Sequence, residues 1–135
     1  MKKRSNCPIS SALDVWGDKW TLLIIRDLMF FGKTSYGDFL SSDEGIATNI
    51  LADRLDLLEK TGIVIKGADS KKKSKSNYRL TKKGIDLIPV LIEIIKWSAK
   101  YGKFPEEVSA MVRMANKDRD GLINRIEASL NKVPV

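Results

Sequence analysis

Residues 45–62, GIATNILADRLDLLEKTG, decide the fold. The apolar side chains in this stretch recur at helical spacing on one side, and polar side chains fall on the other. The apolar set is Ile46, Leu51, Leu55 and Leu58. The pattern predicts an amphipathic helix over about residues 48–60. Thr48 is expected to cap its N-terminus, and Gly62 supplies the permissive backbone that ends a helix.

The flanking segments predict the remaining elements of a small domain. Residues 20–31 are dense in large apolar side chains and predict a central core helix. Ser35 is expected to cap a short helix, and a polar connection over residues 41–44 leads into the amphipathic helix. Residues 63–65 and 78–80 predict two short strands joined by a lysine-rich loop. The predicted fold class is mainly α with a small β-hairpin, in winged helix-turn-helix order.

The composition is that of an ordinary globular protein with a basic surface. The 135 residues suit a single core, with 43% hydrophobic and 30% charged residues. Lys and Arg number 24 against 17 Asp and Glu, a net charge of +7. This balance favours an acidic partner, with nucleic acid ahead of an anionic membrane surface.

The same composition disfavours several other classes. The chain has one cysteine, Cys7, and no histidine, so a metal site, a cofactor site and thiol–histidine catalysis are not expected. The longest apolar run, residues 87–95, is interrupted by Pro89 and Glu93 and is too short to span a bilayer. The N-terminus lacks the pattern of a secretory signal. We therefore expect a cytoplasmic protein that is not an enzyme and has no membrane partner.

The first turns of the amphipathic helix carry the candidate base contacts. A helix fits the major groove of double-stranded DNA, where Thr48, Asn49 and Asp53 would face base edges. An Asn amide matches the adenine edge, and Arg54 could reach a phosphate or a guanine. In the alternative interpretation Thr48 only caps the helix. Arg54 would then only pair with a neighbouring acid such as Asp27 or Glu59.

Positive charge is concentrated in the predicted hairpin. A charge run is usually a solvated loop, but here it falls where a wing would lie against the DNA backbone. We expect phosphate contacts from the basic residues of this segment, which are Lys71, Lys72, Lys73, Lys75 and Arg79.

Three segments together resemble the HxlR-type winged helix-turn-helix regulators, which are related to the MarR group. They are CPISSALDVWGDKWTLLIIRDL, GIATNILADRLDLLEKTGIV and YRLTKKGIDLIPVLIEIIKW, and the resemblance spans residues 7–102. It implies DNA-binding homodimers that mostly repress, and sometimes activate, neighbouring genes. A two-fold symmetric dimer is expected to bind a palindromic operator in double-stranded DNA. Ser35 stands where many members carry a basic residue, and it completes the candidate DNA contacts. The wing also departs from the family pattern, because it lacks a common proline and is unusually rich in lysine.

The C-terminal third predicts additional helices. Residues 84–101 expose more apolar side chains than one small core needs, with a kink or break near Pro89. Pro105 is expected at the first position of another helix, and residues 118–132 predict a further one. We divide the chain into a DNA-binding domain, 1–102, and a helical extension, 103–135, that joins a dimer interface. Met111 and Met114 could instead line a ligand pocket.

Cys7 admits two interpretations. Basic residues precede it and a helix start follows Pro8, a setting that favours a thiolate and hence a sensor of redox or electrophile signals. In the other interpretation Cys7 is a small buried residue that packs near Trp16 or Trp20. A dimeric sequence-specific DNA-binding regulator, most often a repressor, is the favoured function. The alternatives are a winged-helix module that binds protein and an enzyme with Cys7 as nucleophile.

Overall fold

The computed structural model describes residues 3–69 and 72–131, and for residues 68, 69, 72–76 and 131 it describes the backbone alone. The chain forms two compact units that divide between Gly84 and Ile85. The elements of the first unit are α1 Pro8–Trp16, α2 Lys19–Phe30, α3 Tyr36–Leu40, α4 Thr48–Lys60, β1 Val64–Asp69 and β2 Lys72–Leu80. A four-residue helix, α5 Lys82–Ile85, follows β2. The predicted class, mainly helical with one β-hairpin, is confirmed.

Helix α4 is the amphipathic helix that the sequence predicts. Its side chains Leu51, Leu55 and Leu58 are buried. Each such leucine contributes about 1.5–3 kcal/mol through the apolar surface that it removes from water. Helix α2 supplies the facing core with Ile24, Ile25 and Leu28. The predicted central core helix and apolar stripe are both confirmed.

Side-chain caps fix where the short helices begin. The carboxylate of Asp18 accepts hydrogen bonds from the backbone N–H groups of Trp20 and Thr21 at the start of α2. Ser35 caps α3 as predicted, because its hydroxyl accepts from Asp38 N while the Asp38 carboxylate accepts from Ser35 N. This reciprocal capping box satisfies amide donors that would otherwise lack partners.

Three details of the helix ends differ from the sequence predictions. Thr48 is not the N-cap of α4: Ala47 occupies that position without a side-chain cap, and Thr48 is the first helical residue. The break predicted near Pro89 is confirmed, but it falls at residues 86–87, and Pro89 itself lies in the first turn of the second helix. Pro105 is the N-cap of its helix rather than its first residue. Proline suits such positions because a first-turn residue needs no N–H donor.

Strands β1 and β2 form an antiparallel hairpin, with Val64 opposite Leu80 and an irregularity after Ala68. The buried ring of Tyr78 anchors the base of this hairpin by packing against Tyr36 and Phe39 of α3. Its backbone N–H also donates to the Thr34 carbonyl at 2.8 Å. The hairpin is therefore held to the chain segment that opens α3.

The second unit contains α6 Ile88–Tyr101, α7 Glu106–Lys117 and α8 Arg119–Asn131. These three helices contact one another, and Leu91, Ala115 and Leu122 are buried. By contrast, Trp97 is 69% exposed and Tyr101 is 72% exposed on α6. None of the helices in the described ranges is long and apolar enough to cross a bilayer.

Gly84 provides a test of the packing next to the hairpin. A Cβ there would overlap the Ile63 carbonyl oxygen and lie 2.9 Å from Leu80 Cδ2. We expect Gly84→Ala to lower the free energy of unfolding by about 1–3 kcal/mol, as overpacking does, in urea titrations. Gly37→Ala is the control, because a Cβ there would meet only Ser35 Oγ at 3.9 Å. Equal stability of the two variants would contradict this account.

Candidate nucleic-acid interface

Helices α3 and α4, with the turn between them, form a helix-turn-helix. The buried leucines of α4 fix which side of the helix faces away from the core. Thr48, Asn49, Ala52 and Asp53 are exposed in its first two turns. Three of the predicted base contacts, Thr48, Asn49 and Asp53, therefore lie on one accessible surface. The remaining exposed side chains of α4 are mainly acidic, with Asp56 and Glu59 in the later turns.

Arg54 is engaged within the chain. Its guanidinium donates to Asp18 Oδ2 at 3.0 Å and also pairs with Asp53. These partners replace the predicted pairings with Asp27 or Glu59, which is a correction: the folded chain brings Asp18, 36 residues away, next to α4. The hydrogen bond from Arg54 lowers the pKa of Asp18, and the bond to Asp18 raises the pKa of Arg54. Arg54 thus connects α4 to the start of α2.

The other predicted DNA contacts lie on α3 and the hairpin. The Ser35 hydroxyl accepts from Asp38 N, so its own proton stays available for a further bond. Backbone bonds to the Asp38 carboxylate, the strongest from Thr34, lower the pKa of that carboxyl. Arg79 lies on β2 opposite Ile65 and is exposed.

The lysines of the predicted wing are only partly described. Lys72, Lys73 and Lys75 belong to β2, where the backbone alone is described, and Lys71 lies outside the described residues. The backbone of Lys72, Lys73 and Lys75 lies on the part of the hairpin distant from the Val64–Leu80 pair. Their contact with phosphate stays a prediction.

A polar cluster that the sequence did not predict holds the turn between α3 and α4. We call it the turn clamp, and its members are Arg26, Asp27, Lys33, Ser42 and Glu44. Arg26 donates through Nη1 and Nη2 to both carboxylate oxygens of Glu44, at 2.7 and 2.9 Å. Arg26 also donates twice to Asp27 Oδ1, at 3.0 and 2.7 Å. Two adjacent charges inside the apolar core helix were the sequence signal that could have revealed this cluster.

Ser42 completes the turn clamp from the other side. Its hydroxyl donates to Asp27 Oδ2 at 2.6 Å and accepts from Lys33 Nζ at 2.7 Å. Both oxygens of Asp27, which is only 3% exposed, therefore have donors. A buried carboxylate needs such partners, because losing one leaves it uncompensated.

The surroundings of Cys7 rule out one of its two interpretations. The thiol is exposed, so the prediction that it is buried near Trp16 or Trp20 is wrong. Cys7 is the N-cap residue of α1, with Pro8 at the first helical position. Its carbonyl accepts from Ser11 N at 2.9 Å. No three His, Cys, Asp or Glu side chains of residues 3–67, 77–130 are grouped as a metal site would require.

An amphipathic second helix, a capped first helix and a following hairpin together define a winged helix-turn-helix protein. The model of the HxlR-like helix-turn-helix family matches residues 15–106, and the chain belongs to that family. Helices α7 and α8 lie almost wholly beyond the matched residues. The chain thus carries the helix-turn-helix domain of the HxlR-like family.

Known relatives agree with this assignment. An uncharacterized HTH-type transcriptional regulator of Mycobacterium tuberculosis is 34% identical over 98 residues, which are 73% of this chain and 61% of the relative. The chain thus spans less than two thirds of the length of that regulator.

Solved structures of similar fold include three regulators. The crystal structure of PA1607, described as a candidate transcription factor, is 42% identical with a TM-score of 0.68 and covers 76% of this chain and 70% of its own. A MarR-family regulator from Porphyromonas gingivalis W83 is 26% identical with a TM-score of 0.65, and the match covers 76% of this chain and 99% of that regulator. The redox regulator HypR in its oxidized form is 28% identical with a TM-score of 0.64, covering 73% and 100%.

The ion pair of the turn clamp predicts a specific dependence of stability on pH. The hydrogen bond from Arg26 lowers the pKa of Glu44 from 4.5 to about 2. A carboxyl with a depressed pKa stabilises the fold above its unfolded value, and this contribution is lost as the pH falls through the folded value. Because Glu44 is partly exposed, the contribution at pH 7 should be about 1 kcal/mol or less.

We therefore expect Glu44→Gln to unfold at a lower temperature than the parent at pH 7, with the difference closing between pH 4.5 and 2. Thermal unfolding followed by circular dichroism measures this. Asp43→Asn is the matched control, since Asp43 makes no hydrogen bond or ion pair with the described residues. A difference between parent and Glu44→Gln that did not change with pH would refute the assignment.

Proposed function

We propose that the protein is a homodimer that binds a palindromic double-stranded DNA operator and represses neighbouring genes. The observation that carries this proposal is the exposed first turn of α4, with Thr48 and Asn49 free to face a major groove. Membership of the HxlR-like family supports it. A reporter gene placed behind a bound site distinguishes repression from activation by the direction in which expression changes.

Specificity in this proposal comes from the first two turns of α4. Asn49 donates to and accepts from the edge of an adenine, and Asp53 accepts from a cytosine amino group. Thr48 lies one residue before Asn49 and contacts a base or a phosphate. Arg54, already paired with Asp18 and Asp53, chiefly holds α4 in place.

Affinity comes mainly from the backbone of the DNA. Arg79 is exposed on β2, and Lys72, Lys73 and Lys75 belong to the same strand. Phosphate neutralisation by these side chains releases counterions, so binding weakens as salt rises. The exposed acids of α4, Asp56 and Glu59, oppose close approach of phosphates to that helix. This repulsion weakens binding to DNA that does not offer the base contacts.

The dimer is proposed to form through α6 and the helical extension, residues 103–135. The rings of Trp97 and Tyr101 pack in a tilted arrangement, 5.8 Å apart between centroids, while both remain largely exposed. Ile94 and Phe104 extend this apolar surface. An exposed aromatic patch of this kind is typical of a protein–protein interface. A second copy of the chain is the partner that two-fold symmetric half-sites require.

Cys7 is proposed as a redox-sensing residue. The thiol is exposed at the start of α1, and the similar fold of HypR belongs to a redox regulator. Two thiols would each lose a proton and an electron to the oxidant as a disulfide forms. The second thiol belongs either to Cys7 of the partner subunit or to a small thiol, since this chain has one cysteine.

The function is tested first at Asn49. Selection from random duplex DNA should yield a site with a repeated half-site. Asn49→Ala should then weaken binding to that site by about 1–3 kcal/mol and binding to random DNA far less, because only base contacts discriminate. Fluorescence anisotropy at one salt concentration measures both affinities. Equal losses on both DNAs would assign Asn49 to positioning, and no enriched site would refute sequence-specific binding.

The control for Asn49 is a variant of the wing. Replacing Lys71, Lys72, Lys73 and Lys75 together with alanine should weaken binding to both DNAs similarly. Four phosphate contacts per subunit of a dimer give a log–log salt slope of about −7, at about −0.9 for each contact. The slope should flatten in this variant. An unchanged slope would mean that the lysines do not contact phosphates.

The dimer is tested at Trp97. Trp97→Asp places a charge in the exposed aromatic patch and should shift the protein to a monomer in sedimentation equilibrium, because an unpaired charge in an interface is strongly unfavourable. Ala52→Asp adds the same charge at an exposed position of α4, outside the proposed interface, and should leave the dimer intact. A dimer of unchanged affinity in Trp97→Asp would exclude this surface.

The redox proposal is tested with diamide. We expect the oxidant to lower operator affinity in the parent protein, because modification at the start of α1 alters the N-terminal segment. Cys7→Ser should bind the operator with the same affinity before and after treatment. Indifference of the parent to diamide or to a quinone would end the proposal, and an equal loss in the serine variant would assign the effect to another residue.

A further inference from the structure

The turn between α3 and α4 is attached to α2 at two points. Glu44 pairs with Arg26 near the start of α4, and Ser42 binds Asp27 near the end of α3. We propose that Arg26 and Glu44 are positioning residues that fix the first turn of α4 for base recognition. This inference rests on the proposed function, in which α4 reads DNA.

The Arg26–Glu44 contact constrains orientation as well as distance. Two guanidinium nitrogens meet the two carboxylate oxygens, at 2.7 and 2.9 Å. A planar fork bound at two points resists rotation, which a single lysine contact would allow. The same guanidinium is held in turn by two bonds to the buried carboxylate of Asp27. The Arg26 guanidinium is therefore held in one orientation by Asp27, and it in turn fixes the position of Glu44.

The turn is also fixed at Ser42, close to the end of α3. Asp27 accepts the Ser42 hydroxyl at 2.6 Å, and Lys33 Nζ donates to the same hydroxyl at 2.7 Å. Within the turn, Gly45 N donates to the Ser42 carbonyl at 3.1 Å. The two attachment points, two residues apart, leave the turn little freedom to rock on α2.

The position of the turn determines the position of the candidate base contacts. Glu44 precedes Thr48 by four residues, and Ile46 between them is buried. Ala47 is already part of the helix hydrogen bonding, because its carbonyl accepts from Leu51 N at 2.9 Å. A displacement of Glu44 is thus passed to Asn49 over about one helical turn. A base contact tolerates only a few tenths of an ångström, since hydrogen bonds are confined to about 2.7–3.2 Å.

The acid beside Glu44 provides the contrast. Asp43 is exposed in the same turn and has no hydrogen bond or ion pair with the described residues. If the turn contributed only negative charge, replacing either acid would have the same effect on DNA binding. If Glu44 acts through its bond to Arg26, only Glu44 should matter for discrimination between sites.

The experiment compares the affinity for the selected operator with that for random duplex DNA, in the same preparation and at the same salt concentration. The variants are Glu44→Gln, which weakens the contact with Arg26, and Ser42→Ala, which removes the bond to Asp27. The control is Asp43→Asn. The readout is the ratio of the two affinities. Unfolded protein lowers both affinities by the same factor, so a purely destabilising effect cancels from this ratio.

We expect Glu44→Gln and Ser42→Ala to lower the ratio by about 5- to 100-fold. This range corresponds to one impaired bidentate base contact. Asp43→Asn should leave the ratio unchanged. Retention of the parent ratio by both clamp variants, or an equal loss in Asp43→Asn, would overturn the proposal.

A second experiment tests whether the loss of discrimination in Glu44→Gln arises at the first turn of α4. In the Asn49→Ala background, Glu44→Gln should change the ratio much less than it does in the parent, because the contact that it positions is already gone. Full additivity of the two substitutions would overturn the proposal. A parent protein without any preferred site would instead refute the proposed function itself. The two failures are therefore distinguishable.

Discussion

The burial of one leucine stripe on α4 is the constraint on which the rest of the first unit depends. With Leu51, Leu55 and Leu58 in the core, the opposite face of the helix has to be solvent-exposed. Asn49 is exposed for this reason, and not because of any property of its own. The packing of α4 against α2 thus determines which side chains of α4 are accessible to a partner.

Apolar packing alone leaves a helix free to slide or rotate by small amounts, and two charged contacts reduce that freedom. Arg54 joins α4 to Asp18, whose carboxylate also caps α2. Arg26 joins the preceding turn to the middle of the same helix. Both contacts use Arg, whose several donors allow one side chain to serve two acids. Helix α2 is consequently both the hydrophobic core and the frame for α4.

The sequence predicted the elements governed by local patterns and failed where distant residues meet. The bounds of α4, the end at Gly62 and the Ser35 cap follow from periodicity and residue type within a few positions. The partner of Arg54 does not, because 36 residues separate it from Asp18 and several acids were equally available. Exposure of Cys7 likewise depends on where α1 lies, which its own residues do not specify.

The failed prediction at Thr48 has a different cause. Threonine is a good capping residue, but Ala47 has the extended backbone of an N-cap and Thr48 is already helical. The chain enters α4 one residue earlier than the capping preference implies. The buried side chain of Ile46 and the Arg26–Glu44 contact hold the residues just before this helix start.

The burial of Asp27 inside the turn clamp bears on how the fold responds to a change in ionic strength. Mobile ions screen charges at the surface much more than they screen the buried carboxylate of Asp27, which has donors on both of its oxygens. Under the proposed function, added salt would weaken the attraction between the wing lysines and DNA phosphates, while the contacts of Asp27 that hold the turn before α4 persisted. Weakly bound DNA would then be released before the preferred site.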